Sequence, residues 1–398
     1  MQRTATLTVA PDLVSERIVG HVRSSRQGPT IVFFGGIHGN EPAGLEALKR
    51  VFGKLKGSKS HIKGSIYAVA GNLGALLQGV RFQEEDLNRI WLPQRLEKTA
   101  HGHAPSSPDE KEMRALHQLI HQITESDRPP YYFMDLHTTS GHTDPFIVVN
   151  DSLLNRKFTS HYPLPIVLGI EEYLAGALLS YINELGYVSF GFEAGQHADP
   201  RAVTVAEHFI WYSMALAGGL ELAPQTLQMH YSALALGKFP KATFMEIYHQ
   251  FTIGKGDHFK MAPGFENFQK IPKGRTLATL NGEPLITQEE RKIFMPLYQE
   301  KGAEGFYFVK RTPLFFLILS KYIRKIKAER LLLWLPGVSR SRETPSALLV
   351  DKRTARFMAI SFFHLLGYRV RRRGAHHLEL QGRDRTSRDR AYQDAPWY

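Results

Sequence analysis

Past about residue 16, short apolar runs alternate with longer stretches in which apolar positions recur every three or four residues. Strand-like runs at 30–34, 65–70, 131–136, 145–149 and 187–192 interleave with helical patterns at 42–56, 108–125, 171–186 and 201–218. That alternation predicts an α/β layered domain. Segment 92–108, with Pro93, Gly102, Pro105 and Pro108, reads as a loop ahead of a helix. From about 227 the texture changes to short apolar stretches punctuated by Lys-Gly, Asn-Gly and Pro-Gly signals, which predicts a small antiparallel β domain. The expected organisation is an α/β domain over 1–225, a β-rich domain over 226–320 and a C-terminal appendage over 321–398 with no assigned role. No internal repeat is visible.

Two of the strand-like runs lead into residues with metal chemistry. Ile31 to Phe34 is followed by two glycines, then by His38 and Glu41, and the stretch Glu41-Pro42-Ala43-Gly44-Leu45 begins a helix with proline near its first turn. The run Tyr131 to Leu136 places His137 just past another strand. Ligands at the carboxyl ends of neighbouring strands converge in open α/β sheets. Two imidazoles and a carboxylate hold Zn²⁺ and leave its fourth position open, which is what metal-assisted hydrolysis needs. A lone H-x-x-E is common by chance; the glycines, the strand context and the second histidine give this one its weight. The same ligands accept Co²⁺, Mn²⁺ or Fe²⁺, with zinc favoured, one ion per chain.

Composition narrows the choice. The chain has 398 residues and no cysteine, so thiolate ligands and disulfides are excluded and His, Asp and Glu remain. The first twenty residues lack a continuous apolar core and nowhere do eighteen apolar residues run together, so a cytoplasmic location is expected. The net charge of +12 is concentrated near the C-terminus, in Arg369, Arg371, Arg372 and Arg373 and in Arg383, Arg385, Arg388 and Arg390. Such a tail is expected to be solvated, or to hold anions loosely.

Amide hydrolysis also needs a base and a donor for the developing oxyanion. Glu193, after the run YVSFGF and beside Gly195, is the expected general base, with a surface carboxylate as the plainer alternative. Asn88 and Arg89 are the candidates for holding a substrate carboxylate, because guanidinium presents a planar fork to it.

The motifs GGIHGNEPAG, DLNR (86–89), MDLHT (134–138) and FEAG (192–195), in this order, resemble the succinylglutamate desuccinylase and aspartoacylase family over roughly residues 28–310. The resemblance implies a zinc-carboxypeptidase-like α/β fold, with a mixed sheet flanked by helices, followed by a β-rich domain. It implies a deacylase that hydrolyses the amide of a small N-acyl amino acid or similar carboxylate-bearing compound, with zinc on His38, Glu41 and His137. It further implies Glu193 as base, Arg81 as the carbonyl-polarising arginine, Asn88-Arg89 as the carboxylate clamp with Asp86 orienting the loop, and Tyr298 as a substrate-facing residue. Arg81 also has Glu84 and Glu85 nearby, as a surface ion pair would.

One departure stands out. Where the family's aspartoacylases carry a second carboxylate-binding arginine, ten positions before the glutamate, this chain has Asn183. Arg201 is a candidate substitute, against the plainer reading of a surface residue at a helix start. His142 and His197 read as supporting or surface histidines. The implied partner is a small N-acyl substrate; no membrane is called for, nucleic acid is disfavoured and a homo-oligomer is compatible with the sequence. Two rival readings are a zinc carboxypeptidase acting on peptides and, more distantly, a module binding anions or nucleic acid through the basic tail.

Overall fold

The computed structural model describes residues 16–55, 61–235, 237, 239, 241–325, 332–341, 347–355, 360–374 and 376–398. The reading of the first twenty residues falls largely on 1–15, outside the described residues.

These residues form eighteen strands: β1 (Ile18–Arg23), β2 (Thr30–Gly35), β3 (Ser65–Ala70), β4 (Tyr131–Thr139), β5 (Phe146–Val149), β6 (Pro165–Leu168), β7 (Val188–Gln196), β8 (Thr243–Thr252), β9 (Phe259–Met261), β10 (Lys270–Ile271), β11 (Thr276–Leu280), β12 (Glu283–Ile286), β13 (Arg291–Phe294), β14 (Glu304–Arg311), β15 (Val338–Arg340), β16 (Ala347–Asp351), β17 (Tyr368–Arg373) and β18 (His377–Gly382). Eleven build one mixed sheet in the order β1-β3-β2-β4-β7-β5-β6-β8-β14-β13-β10. Its centre, β3-β2-β4-β7, is parallel, and β5 runs antiparallel to β7.

The continuous apolar run of β2 has a simple cause. Side chains alternate across a strand, and here both faces are covered. Ile31 and Phe33 join the core under helices Ala43–Leu55 and Arg201–Leu216, while Val32 and Phe34 join a second core under helix Pro108–Ser126. The fold is the mixed α/β sheet that the resemblance implied, with smaller antiparallel sheets beside it.

Several local expectations are corrected. Within 92–108, Pro93–Ala100 is a helix, because proline at its first position already has helical φ and needs no donor. The expected helix 171–186 is two short ones, Ile170–Tyr173 and Leu178–Glu184. The break is at Gly176, φ +71°, where an added Cβ would lie 2.1 Å from the Arg89 carbonyl oxygen. The turn signal at 281–283 is a hairpin between β11 and β12, with Asn281 and Gly282 both at positive φ. Of the strands expected to form a separate β region, β8, β14, β13 and β10 extend the large sheet, whereas β12-β11-β9 form a sheet of their own.

The C-terminal stretch differs most from a solvated tail. β15-β16-β18-β17 form a four-stranded sheet. Arg383 is buried against Asp151, Glu171 and Glu172. Tyr392 donates to the Tyr131 carbonyl and accepts from the Val188 amide, and Trp397 Nε1 donates to the Tyr132 hydroxyl at 2.9 Å. The chain end therefore clamps the amino ends of β4 and β7, and aromatic burial together with paired charge explains why composition alone misplaced it.

Candidate metal centre and active site

Glu41 sits between two imidazoles at the carboxyl end of the sheet. Its Oε1 is 2.9 Å from His38 Nδ1 and its Oε2 is 2.9 Å from His137 Nδ1, while the Thr138 amide donates to Oε2 at 3.1 Å. The other ring nitrogens face carboxylates: His38 Nε2 lies 3.2 Å from Asp86 Oδ1, and His137 Nε2 lies 2.6 Å from Asp135 Oδ2. Ligand atoms of His38, Glu41 and His137 all lie within 4.8 Å of one another, and all three residues are buried.

Charge accounts for this clustering. Burial would raise the Glu41 carboxyl, but the charges of His38 and His137 hold it well below the usual carboxylate range. Burial would likewise lower His137, but Asp135 and Glu41 lift it well above the usual histidine value. Arg81 is the nearest permanent cation, with Nη1 3.5 Å from Glu41 Oε1 and Nη2 donating to Asp86 at 3.0 Å. Glu41, Asp86 and Asp135 thus outnumber Arg81. The residues fit a divalent cation on donor chemistry: one carboxylate and two imidazole nitrogens converge, and each imidazole is oriented by an outer carboxylate, as metal-binding histidines commonly are.

His137 and Glu193 lie inside strands rather than beyond them. β4 runs to Thr139 and β7 to Gln196, because their pairing continues past the expected ends, and it sets His137 opposite Glu193. Glu193 Oε2 is buried with no hydrogen-bond partner. Burial pushes this carboxyl up to about 8, Glu41 and Asp135 adding to the effect while His137 and Arg81 oppose it. A cation on the His38-Glu41-His137 set would draw it back down.

The site opens into a cavity of about 160 Å³ whose walls include His38, Glu41, Arg81, Asn88, Arg89 and Glu193. Asn88 Oδ1 accepts from the Leu178 amide at 2.9 Å, and Arg89 Nε donates to Glu304 Oε1 at 3.1 Å. Tyr298 does not line the cavity. Its hydroxyl is occupied by the Ala262 carbonyl and the Phe265 amide, and the adjacent Gln299 takes the place expected of it. Asn183 is also outside the wall, and Arg201 is exposed and paired with Asp199. His142 is exposed, whereas His197 lines the cavity between Thr138 and Gln299.

Residues 27–207 match the Succinylglutamate desuccinylase/Aspartoacylase catalytic domain. Over this segment, a little under half of the chain, the protein is similar to that family. Over 111 residues it is 32% identical to a succinylglutamate desuccinylase of Pseudomonas paraeruginosa, covering 28% of this chain and 31% of that protein. Over 185 residues it is 27% identical to a probable aspartoacylase of Acaryochloris marina, covering 45% of this chain and 58% of that protein. The matched segments span less than two thirds of either relative. A solved succinylglutamate desuccinylase/aspartoacylase structure from Rhodobacter sphaeroides is similar in fold, with a TM-score of 0.56, 17% identity, and coverage of 74% of this chain and 88% of that one.

Sequence reasoning passed over Asp135, Gln299 and Glu304. Asp135 was legible, since positions i and i+2 of a strand share a face and Asp135-Leu136-His137 places a carboxylate beside the ligand. Gln299 and Glu304 had no local signal, because a fold-level contact brings them to the site.

Proposed function

We propose that this protein is a zinc-dependent deacylase of small N-acyl amino acids. The observation that carries the reading is the buried His38-Glu41-His137 cluster sharing one cavity with Glu193, whose Oε2 has no hydrogen-bond partner. Held there, zinc supplies Lewis acidity, lowering the pKa of water and polarising a carbonyl.

The chain's own residues supply the rest. Asp86 and Asp135 fix the ring orientation of His38 and His137. Glu193, with no competing hydrogen bond on Oε2, takes a proton from the attacking water and returns it to the leaving amine. Arg81 is held by Asp86 through Nε and Nη2, so its Nη1 edge is a preset donor for the oxyanion. Arg89 keeps guanidinium donors beyond its contact with Glu304 and receives the substrate carboxylate beside Asn88. The cavity, at about 160 Å³, is smaller than the roughly 300–1,000 Å³ of drug-sized sites, which favours a small substrate over a peptide.

Metal content, measured with hydrolysis of N-acetyl and N-succinyl amino acids before and after chelation, tests the reading. About one zinc per chain and chelator-sensitive release of one acyl class are expected. Purified protein that carries no metal and cannot be loaded, or a zinc-loaded protein inert on the whole panel, would overturn it.

A further inference from the structure

The wall of the cavity changes character away from the metal ligands. Gly191 lies two residues before Glu193 on β7 and so presents the same face. Its partner across the strand pair is Val148, and an added Cβ would lie 3.4 Å from Leu179 Cδ1. Val148, Ile170, Leu174, Ala177 and Leu179 make this part of the wall apolar. It adjoins the carboxylate clamp, because Asn88 is bonded to the Leu178 amide at the start of the helix that carries Leu179. A side chain branching from the same carbon as a clamped carboxylate would point into this pocket.

Charge decides what it accepts. The arginines in the cavity wall are Arg81 and Arg89. The first is held by Asp86 and Glu41, the second by Glu304. At the far end Asn150 and Ser180 bond one another at 3.1 Å, and Glu171 is itself an acid, with Arg383 beside it at 3.2 Å. Among the described residues, a second carboxylate in the pocket would meet no cation that is not already paired with an acid, and an unpaired buried charge is costly.

We propose, on the basis of the deacylase reading above, that the amine product is an amino acid with an uncharged, apolar side chain bound beside Gly191, and that acidic side chains are rejected.

The test uses the zinc-loaded full chain with N-acetyl derivatives of glycine, leucine, phenylalanine, aspartate and glutamate. Values of kcat/KM for leucine or phenylalanine should exceed those for aspartate and glutamate at least tenfold. Hydrolysis that favours aspartate or glutamate would overturn the inference and leave the deacylase standing. Inertness towards every derivative, glycine included, and towards the N-succinyl counterparts as well, would remove both. Gly191→Leu fills the pocket and should lower the leucine-to-glycine ratio of kcat/KM at least tenfold. Leu179→Ala enlarges it and should raise the phenylalanine-to-leucine ratio several-fold, a readout that stands if the first variant does not fold. Unchanged ratios in both variants would overturn the assignment.

Discussion

Two clusters of buried charge lie on this sheet and are built on opposite principles. Around Asp151, the carboxylates of Glu171, Glu172 and Asp384 are met by Arg156, Arg324 and Arg383. Burial would raise Asp151, but its three arginines hold it far below the carboxylate range. Acid and base there are nearly matched in number, and the cluster fastens the C-terminal stretch. Around Glu41 the balance fails: Asp86 and Asp135 add negative charge, Arg81 alone opposes it permanently, and Glu193 has an oxygen with no partner. A balanced cluster is an anchor; an unbalanced one suits a cation and reactive chemistry.

The comparison can be broken most sharply at Glu193. Glu193→Gln should lower kcat by about 10²–10⁴-fold and leave zinc content near that of the parent, as metal analysis and steady-state assays would read. Full turnover in this variant would return Glu193 to the rank of a buried structural acid. At the other cluster, Arg383→Met takes one cation from each of Asp151, Glu171 and Glu172 and should cost about 3–5 kcal/mol of stability, read by denaturant unfolding. A loss under about 1 kcal/mol would mean that water, rather than arginine, compensates those acids. Asp135→Asn sharpens the contrast from the metal side: it should weaken zinc about 10–100-fold in a chelator competition while the apo protein melts much as before.

What could be read in the sequence tracks how local each cause is. The β2 run, the glycines after it, His38 and Glu41 sit within one strand-loop-helix unit, so periodicity and spacing were enough. Gly176 shows the opposite case: the helical pattern of 171–186 is genuine, but the close approach of the Arg89 carbonyl breaks it, and Arg89 is far away in the chain. The role of Glu304, which positions Arg89, depends on β14 lying beside β8 in the same sheet as β2 and β4. Arg371, Arg373, Arg385, Arg388 and Arg390 are exposed, as a charge run usually is, but Arg369 and Arg383 are not, and only the fold reveals the Glu171 carbonyl under the first and Asp151, Glu171 and Glu172 under the second.

The smallest expected effect concerns pH and tests whether the anchoring cluster is as self-contained as its charges suggest. His364 lies at its edge, with Nδ1 2.7 Å from Glu246 Oε1 and Nε2 2.9 Å from Glu172 Oε2, and with Arg383 and, beside Glu246, Lys310 as the neighbouring cations. Burial lowers its pKa, but the Glu172 and Glu246 carboxylates outweigh that and lift it to about 9. A histidine whose folded pKa lies above its unfolded value of about 6.5 stabilises fully below that value. The contribution then fades as pH climbs through about 9. Unfolding free energy should therefore fall by about 1–3 kcal/mol between these limits, and His364→Gln should flatten most of that slope. A parent slope that His364→Gln leaves intact would place the pH response elsewhere, and would show that the two glutamates are satisfied by Arg383 and Lys310 without the imidazolium between them.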